Sequence, residues 1–192
     1  MKEQTKVEAN ITRERDSPTS QEVFEKESRM SKWREILMFV VKVSCILLAG
    51  YVLMNYVFGV MQMSGETMYP RLRDGDAILY YRLDHDYHMG DVVVYDYRGM
   101  NRVARIIAQG GDVIDLSENG EVIINGLPQM EEIFFLTEKS AAGIKYPYTV
   151  AEGSYFLLCD YRTIGSDSRD LGAIPGEQIL GKVVTILRRR GI

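Results

Sequence analysis

Residues Met63–Asp76 read MSGETMYPRLRDGD. Gly65 and Pro70 bracket a short turn, and Arg73-Asp74-Gly75-Asp76 leads out of it into AILYYRL (77–83), a run of β-branched, aliphatic and aromatic residues. The stretch therefore reads as a turn entering a strand. Thr67 sets one hydroxyl in the middle of that turn. Whether the hydroxyl has a chemical role depends on which side chains the rest of the chain brings beside it, because a threonine is a weak nucleophile without an adjacent base.

Downstream, the same texture repeats in DVVVYDY (91–97), RVARIIA (102–108), DVIDL (112–116), EVIIN (121–125), SYFLLCD (154–160) and KVVTIL (182–187). Short apolar runs punctuated by Gly, Asp and Asn predict strands, so the region 63–192 is expected to be mainly β. Asn119-Gly120 is a tight-turn signal joining two of these runs as a hairpin, and Asn125-Gly126 is a second turn. Residues 127–153, with Pro128 and Pro147, read as an irregular insertion or long loop. No helical pattern of comparable length and no internal repeat occurs in this region.

Upstream lies ILMFVVKVSCILLAGYVLMNYVFGVMQ (36–62), in which Lys42 is the one charged residue. About 20 apolar residues span a bilayer core as a helix, and Lys42 lies near one end, where its stem can reach the headgroups. A transmembrane signal-anchor over 36–62 is expected rather than a cleaved signal peptide, since a long polar lead precedes it and no small-residue cleavage pattern follows. Lys26, Arg29, Lys32, Arg34 and Lys42 lie on its amino side against Arg71 and Arg73 beyond it. That bias predicts a cytoplasmic N-terminus and an extracytoplasmic domain over 63–192. Residues 1–35 carry eight basic and eight acidic side chains with almost no aliphatic periodicity, and are expected to be a flexible tail.

The composition also excludes. Beyond Gly65 there are fourteen Lys and Arg against nineteen Asp and Glu, which leaves no basic stripe for nucleic acid. Cys45 and Cys159 are far apart and carry no disulfide framework or zinc spacing. No metal or organic cofactor is indicated. The basic run Arg188-Arg189-Arg190 reads as a solvated tail or, in the alternative, as a contact for anionic lipid.

Four stretches, in order behind the anchor, resemble the boxes of bacterial type I signal peptidases, membrane-anchored Ser/Lys endopeptidases that remove signal peptides from exported proteins. They are GETMYPRLRDGD (65–76), GDVVVY (90–95), RIIAQGGD (105–112) with EVIINGLPQMEE (121–132), and CDYRTIGSDSR (159–169) with LGAIPGEQILGKV (171–183). The resemblance implies a domain of coiled antiparallel β-sheets behind a single N-terminal transmembrane helix. It implies a cleft taking an extended peptide by strand addition, and as partners membrane lipid and exported preproteins or their signal peptides.

Carried over position by position, the resemblance places the nucleophile on Thr67 and an oxyanion donor on Gly65, with Met68 and Pro70 matching the first box. The general-base lysine falls on Ala104, and the serine that would orient it falls on Gly165. Cys159 and Tyr161 stand where the pattern has Gly and Asn. Arg105 with Asp160, and Asp167 with Arg169, match ion pairs that support the site. Alanine accepts no proton, and Arg102 and Arg105 stay protonated. Two readings follow. One is a catalytically inactive or severely impaired family member that binds peptides or an assembly or secretion partner in export or surface assembly. The alternative is an active signal peptidase using Thr67 with an unrecognised base, for which His85 and His88 read as exposed loop residues and Lys139 and Lys145 have no assignable place.

Overall fold

A computed structural model describes residues 20–129 and 135–188. The chain divides into two compact units, one ending at Tyr51 and one beginning at Val52. The first is a single helix, α1 (Ser20–Val52), continued by a π-helical turn at Leu53–Val57. The segment Lys32–Val57 is long and apolar enough to cross a membrane, with a mean hydropathy of 2.4. Its side chains are exposed, from Phe39 to Leu48 and Tyr56, which is stable only against lipid or another apolar partner.

Both ends of this helix differ from the sequence reading. Residues 1–19 of the expected flexible tail lie outside the described residues, and residues 20–35 are helical. After Pro18 no Gly or Pro occurs until Gly50, and residues 20–35 are rich in Glu, Lys, Arg, Gln and Met. These are strong helix formers, and extending an existing helix costs no new nucleus. At the other end the helix stops at Val57 rather than running to Gln62. Phe58–Gln62 is the first strand, β1. An apolar run hides such a change, because periodicity does not separate a buried strand from a helix.

The second unit is mainly antiparallel β. The larger sheet has the order β1 (Phe58–Gln62), β2 (Ala77–Tyr81), β11 (Ile179–Leu187), β3 (Val92–Tyr97), β4 (Met100–Gln109), β9 (Ser154–Leu158), β10 (Ile174–Pro175). β1 pairs with β2 from Phe58↔Tyr81 to Gln62↔Ala77. Gly59 makes this pairing possible, since a Cβ there would run into the Tyr80 ring. A smaller sheet has the order β7 (Leu127–Pro128), β6 (Val122–Ile124), β5 (Val113–Leu116), β8 (Tyr148–Thr149). The turn at Asn119-Gly120 joins β5 to β6. Asn125, at φ 53°, and Gly126, at φ 83°, join β6 to β7. The expected irregular insertion thus contributes two short strands, β7 and β8, while residues 130–134 lie outside the described residues.

Three apolar clusters fill the unit. Ile114, Leu116, Val122 and Ile124 of the small sheet meet Ile107, Phe156 and Leu158 of the large one. Val93, Tyr95, Ala104, Ile106 and Leu157 form the second. Met63, Met68, Leu72, Ile78, Val94 and Val103 form the third. Each fully buried Leu, Ile or Phe contributes about 1.5–3 kcal/mol of transfer free energy. The turn bearing Thr67 is anchored in the third cluster by Met68, and the strand bearing Ala104 crosses the second.

Candidate active site

The loop Met63–Asp76 joins β1 to β2 and is closed at its base by Met63 N–H to Asp76 O (2.8 Å) and Gly75 N–H to Met63 O (2.9 Å). Gly65 takes φ +81°, a conformation that costs a side-chain-bearing residue steric strain. Its amide, read from the sequence as an oxyanion donor, donates instead to Asp74 Oδ1 at 2.7 Å. The carboxylate spends that donor within the loop. Met68 is fully buried, and its Sδ accepts from Asp160 N–H at 3.4 Å. Thr67 O accepts from Tyr161 N–H at 2.9 Å. Pro70, half-buried, follows the cis Tyr69–Pro70 peptide bond. These links stitch the Thr67 turn onto the chain that leaves β9.

That chain supplies the side chains around Thr67. Gly165 has φ +97°, and a Cβ built on it would meet Thr67 Cγ2 at 2.9 Å, Cys159 Sγ at 3.2 Å and Thr67 Cβ at 3.4 Å. The Thr67 methyl therefore occupies the room that a side chain at 165 would need. The Cys159 thiol lies beside Thr67, both facing the same position at 165. Burial pushes that thiol up to about 12, with Asp167 adding to the rise. It stays protonated at neutral pH and neither deprotonates the threonine nor acts as a thiolate.

Ala104 is 0% exposed, sits opposite Val93 and packs with Tyr95, Ile106 and Leu157. Tyr95 is a titratable group of that cluster, as is Tyr87. Burial raises the Tyr95 phenol to about 12, with Cys159 pushing the same way and Arg102 opposing. A phenol held protonated is no base at pH 7. Lys139 pairs with Asp115 at 3.4 Å and lies 5.3 Å from the Tyr146 ring centre, and Lys145 is exposed. His85 and His88 are exposed, and His88 Nδ1 faces Asp86 O at 3.1 Å.

The supporting ion pairs are buried. Arg105 grips Asp160 through Nε (2.7 Å) and Nη2, and its Nη1 donates to Gly90 O at 2.7 Å. Asp167, 0% exposed, receives Arg169 Nε at 2.9 Å on Oδ1 and Arg169 Nη2 at 3.0 Å on Oδ2. It also accepts Cys159 N–H at 3.0 Å and the Arg169 amide, capping the short helix α2 (Ser168–Leu171). Two features escaped the sequence. Arg162, 2% exposed, donates from Nε to Cys159 O (2.7 Å) and from Nη1 to Thr137 Oγ1 (2.6 Å). Tyr161 stacks on Phe135, centroids 4.3 Å apart, and tilts against Tyr69 at 6.1 Å. The signal for the first was a charged residue inside an otherwise ordered box. The second brings together residues distant in the chain, which no local pattern marks. At the C-terminus Arg188 is not a free tail residue: it donates to Asp76 Oδ2 at 3.3 Å and to Arg71 O at 2.9 Å, while Arg189 and Arg190 lie outside the described residues.

The family described as "Signal peptidase, peptidase S26" matches residues 33–188. Signal peptidase I S of Bacillus subtilis (strain 168) is 26% identical over 169 residues, covering 81% of this chain and 91% of the relative. Signal peptidase IB of Staphylococcus aureus (strain COL) is 25% identical over 169 residues, covering 78% and 88%. The crystal structure of a signal peptidase I from Enterococcus faecalis V583 aligns with a TM-score of 0.43 at 22% identity, covering 52% of this chain and 97% of that one.

Proposed function

This chain belongs to the signal peptidase S26 family, and from that premise we propose that it is a member without a working proton-transfer pair. It serves as a membrane-anchored module that binds extended peptides or a partner protein in export or surface assembly. The observation that carries the proposal is Ala104, a fully buried methyl where the family pattern carries its general base. The groups nearest Thr67 do not replace it, since the Cys159 thiol is pushed up to about 12. General-base assistance is worth about 10²–10⁴-fold, and groups that act as a unit lose nearly all of their joint effect when one is missing. Gly65 N–H, turned to Asp74, removes a donor as well. The supporting ion pairs keep the scaffold that a peptide would dock on. The excess of Lys and Arg on the amino side of the span supports a cytoplasmic N-terminus and an extracytoplasmic β unit.

The test uses the full chain in detergent with a synthetic signal peptide. Wild type is expected to leave the peptide intact. Cleavage by wild type that Thr67→Ala abolishes would overturn the reading in favour of an active peptidase using Thr67. Binding is measured separately, by photo-crosslinking the signal peptide to a probe at Tyr69, with a probe at exposed Glu118 as control. Equal labelling at the two sites would sink the binding role.

A further inference from the structure

The strand that bears Ala104 is open along part of one edge. β4 pairs with β3 from Arg105↔Val92 to Met100↔Tyr97, but with β9 only from Arg105 to Gln109. Residues Met100–Ala104 therefore have no strand on that side among the described residues. Ile106 N–H donates to Asp91 O, towards β3, so by alternation the backbone groups of Val103 and Asn101 point to the open side. Five residues of open strand span about 17 Å, and an extended peptide can add along them.

The side chains beside this edge are set by the two-residue period. Ala104, Arg102 and Met100 share one face of β4, and Val93, Tyr95 and Tyr97 lie opposite them on the same face of β3. At the Ala104 end that face is buried and apolar. At the other end it is charged: the Cζ atoms of Arg98 and Arg102 each lie 5.2 Å from the centre of the Tyr97 ring. Arg102 is half-buried, and its Nη1 donates to Ser166 O at 3.3 Å, next to the Gly165 that faces Thr67. Arg98 extends from the turn between β3 and β4, where it takes φ +55° ahead of Gly99 at +78°. A two-residue hairpin turn with those angles favours Asn, Asp or Gly in its first place. An arginine there holds a left-handed conformation uncommon for its type.

The charge of the pair is uncompensated. Neither arginine forms an ion pair among the described residues, whereas Arg105, Lys139, Arg169, Lys182 and Arg188 do. Asp96 faces the other side of the sheet and accepts Gly99 N–H at 3.2 Å. Asp160 and Asp167 are taken by Arg105 and Arg169. Since both guanidiniums hold to one ring, their charges lie within about 10 Å of each other, the Debye length at about 0.1 M salt. They repel, and an anion shared between them relieves the repulsion with charge-assisted hydrogen bonds. Met100, 55% exposed, and the Tyr97 ring offer apolar surface for the stem that carries the anion.

We propose that the edge Met100–Ala104 receives a peptide segment with an acidic side chain, its carboxylate held by Arg102 and Arg98 and its stem against Tyr97 and Met100. This rests on the peptide-binding reading of the Thr67 site and narrows it to acidic segments. A lipid phosphate also suits two guanidiniums, but it makes no use of an open strand edge, and Arg102 lies on the edge that leads to Gly165 and Thr67.

The full chain in uncharged detergent is titrated with the synthetic signal peptide, amidated at its C-terminus, in a series with a single Glu moved residue by residue along its C-terminal half. Each Glu peptide is matched by its Gln counterpart, and crosslinking from the probe at Tyr69 reads binding. At one position Glu is expected to bind about tenfold more tightly than Gln at low salt, the effect of a charge-assisted contact, and the advantage to shrink in about 0.5 M salt. Arg98→Gln and Arg102→Gln are each expected to cut that ratio about threefold, and both together to bring it to one. The ratio is taken within each protein, so affinity lost for both peptides alike cancels. Arg98→Glu is expected to turn the preference towards a Lys peptide. A ratio of one at every position in a protein that binds the peptides, or an undiminished ratio in Arg98→Gln, would overturn the proposal and leave the peptide-binding reading standing. Labelling no stronger than at Glu118 with every peptide would overturn both. Protection of Arg98 and Arg102 from phenylglyoxal by phosphatidylglycerol added to the micelles, and not by the Glu peptide, would assign the pair to lipid and likewise overturn the proposal.

Discussion

Thr67 and Gly165 form a pair whose coupling can be measured. A Cβ added at Gly165 lies 2.9 Å from Thr67 Cγ2, closer than such carbons pack, and φ at 165 is +97°. Gly165→Ala should therefore carry two costs. Left-handed backbone in a residue with a side chain costs about 1–3 kcal/mol, and overpacking costs about 1–3 kcal/mol more. Only the second depends on Thr67. In a Thr67→Ser background the methyl is gone, and the nearest remaining atoms are Cys159 Sγ at 3.2 Å and the residue 67 Cβ at 3.4 Å. The alanine should then cost its backbone strain and only the milder crowding against the sulfur. A double-mutant cycle is expected to return a coupling of about 1–2 kcal/mol, with the double variant more stable than the sum of the singles predicts. The assay is urea unfolding of the four full-length proteins in one detergent, followed by tyrosine fluorescence, compared at constant m. Additivity to within about 0.5 kcal/mol would refute the claim that the Thr67 methyl fills the side-chain room at 165.

Two further outcomes follow from the buried charges. Asp160→Asn leaves the Arg105 guanidinium, beside Gly90 O, without its counter-charge, and Arg105→Met leaves the Asp160 carboxylate alone; each should destabilise by about 3–5 kcal/mol, while the double change costs less than the larger single one; a double loss equal to the sum of the singles in the same unfolding assay would contradict a mutual pair. Cys159, from 9.0, and Tyr87, Tyr95 and Tyr146, from 10.0, are all raised to about 12 by burial. Their folded values exceed their unfolded ones, so the folded state holds these protons more tightly. The stability they contribute is complete below about pH 8.5 and is lost as pH climbs from there through about 12. The urea midpoint should fall between pH 8 and pH 11, and a flat or rising midpoint would show that these groups titrate as in the unfolded chain.

Much of the fold was legible because its determinants are local. AILYYRL places Ile78 and Tyr80 inward and leaves Ala77, Leu79 and Tyr81 half-buried, the two-residue period of a strand. Asn119-Gly120 marks its hairpin through the backbone freedom of those two residues. The change from helix to strand after Val57 was not legible, because Phe58–Gln62 is as apolar as the span before it and only its pairing with β2 distinguishes it. The helical stretch 20–35 was missed for the opposite reason: polar composition reads as disorder, yet the same residues extend a helix nucleated elsewhere. At the site, Thr67, Ala104 and Gly165 could be singled out from spacing and resemblance. The turn of Gly65 N–H to Asp74 depends on how one loop closes on itself, and the approach of Thr67 to Cys159 on how two loops some ninety residues apart meet. No local pattern carries that.

The geometry changes how the substitutions relate. Taken from the sequence, Thr67, Ala104, Cys159 and Gly165 are four independent departures from one pattern. In three dimensions three of them share a single space: the Thr67 methyl stands over Gly165, and the thiol of Cys159 borders both. A serine at 165 is sterically opposed while threonine stands at 67, so Thr67→Ser must precede or accompany Gly165→Ser in any attempt to rebuild the constellation. Restoring a lysine at 104 is a separate difficulty, since its stem would enter a cluster closed around a methyl at 0% exposure, with Tyr95 and Leu157 already in contact. Overpacking there costs about 1–3 kcal/mol before any charge is buried. The ion pairs obey the opposite logic. Loss of one partner from Asp160–Arg105 or Asp167–Arg169 leaves a buried charge exposed to nothing that answers it, whereas exchange of a base for a methyl removes a desolvated amine and relieves its burial. A frame held by these two pairs tolerates changes at 67, 104 and 165 that it would not tolerate within the pairs themselves.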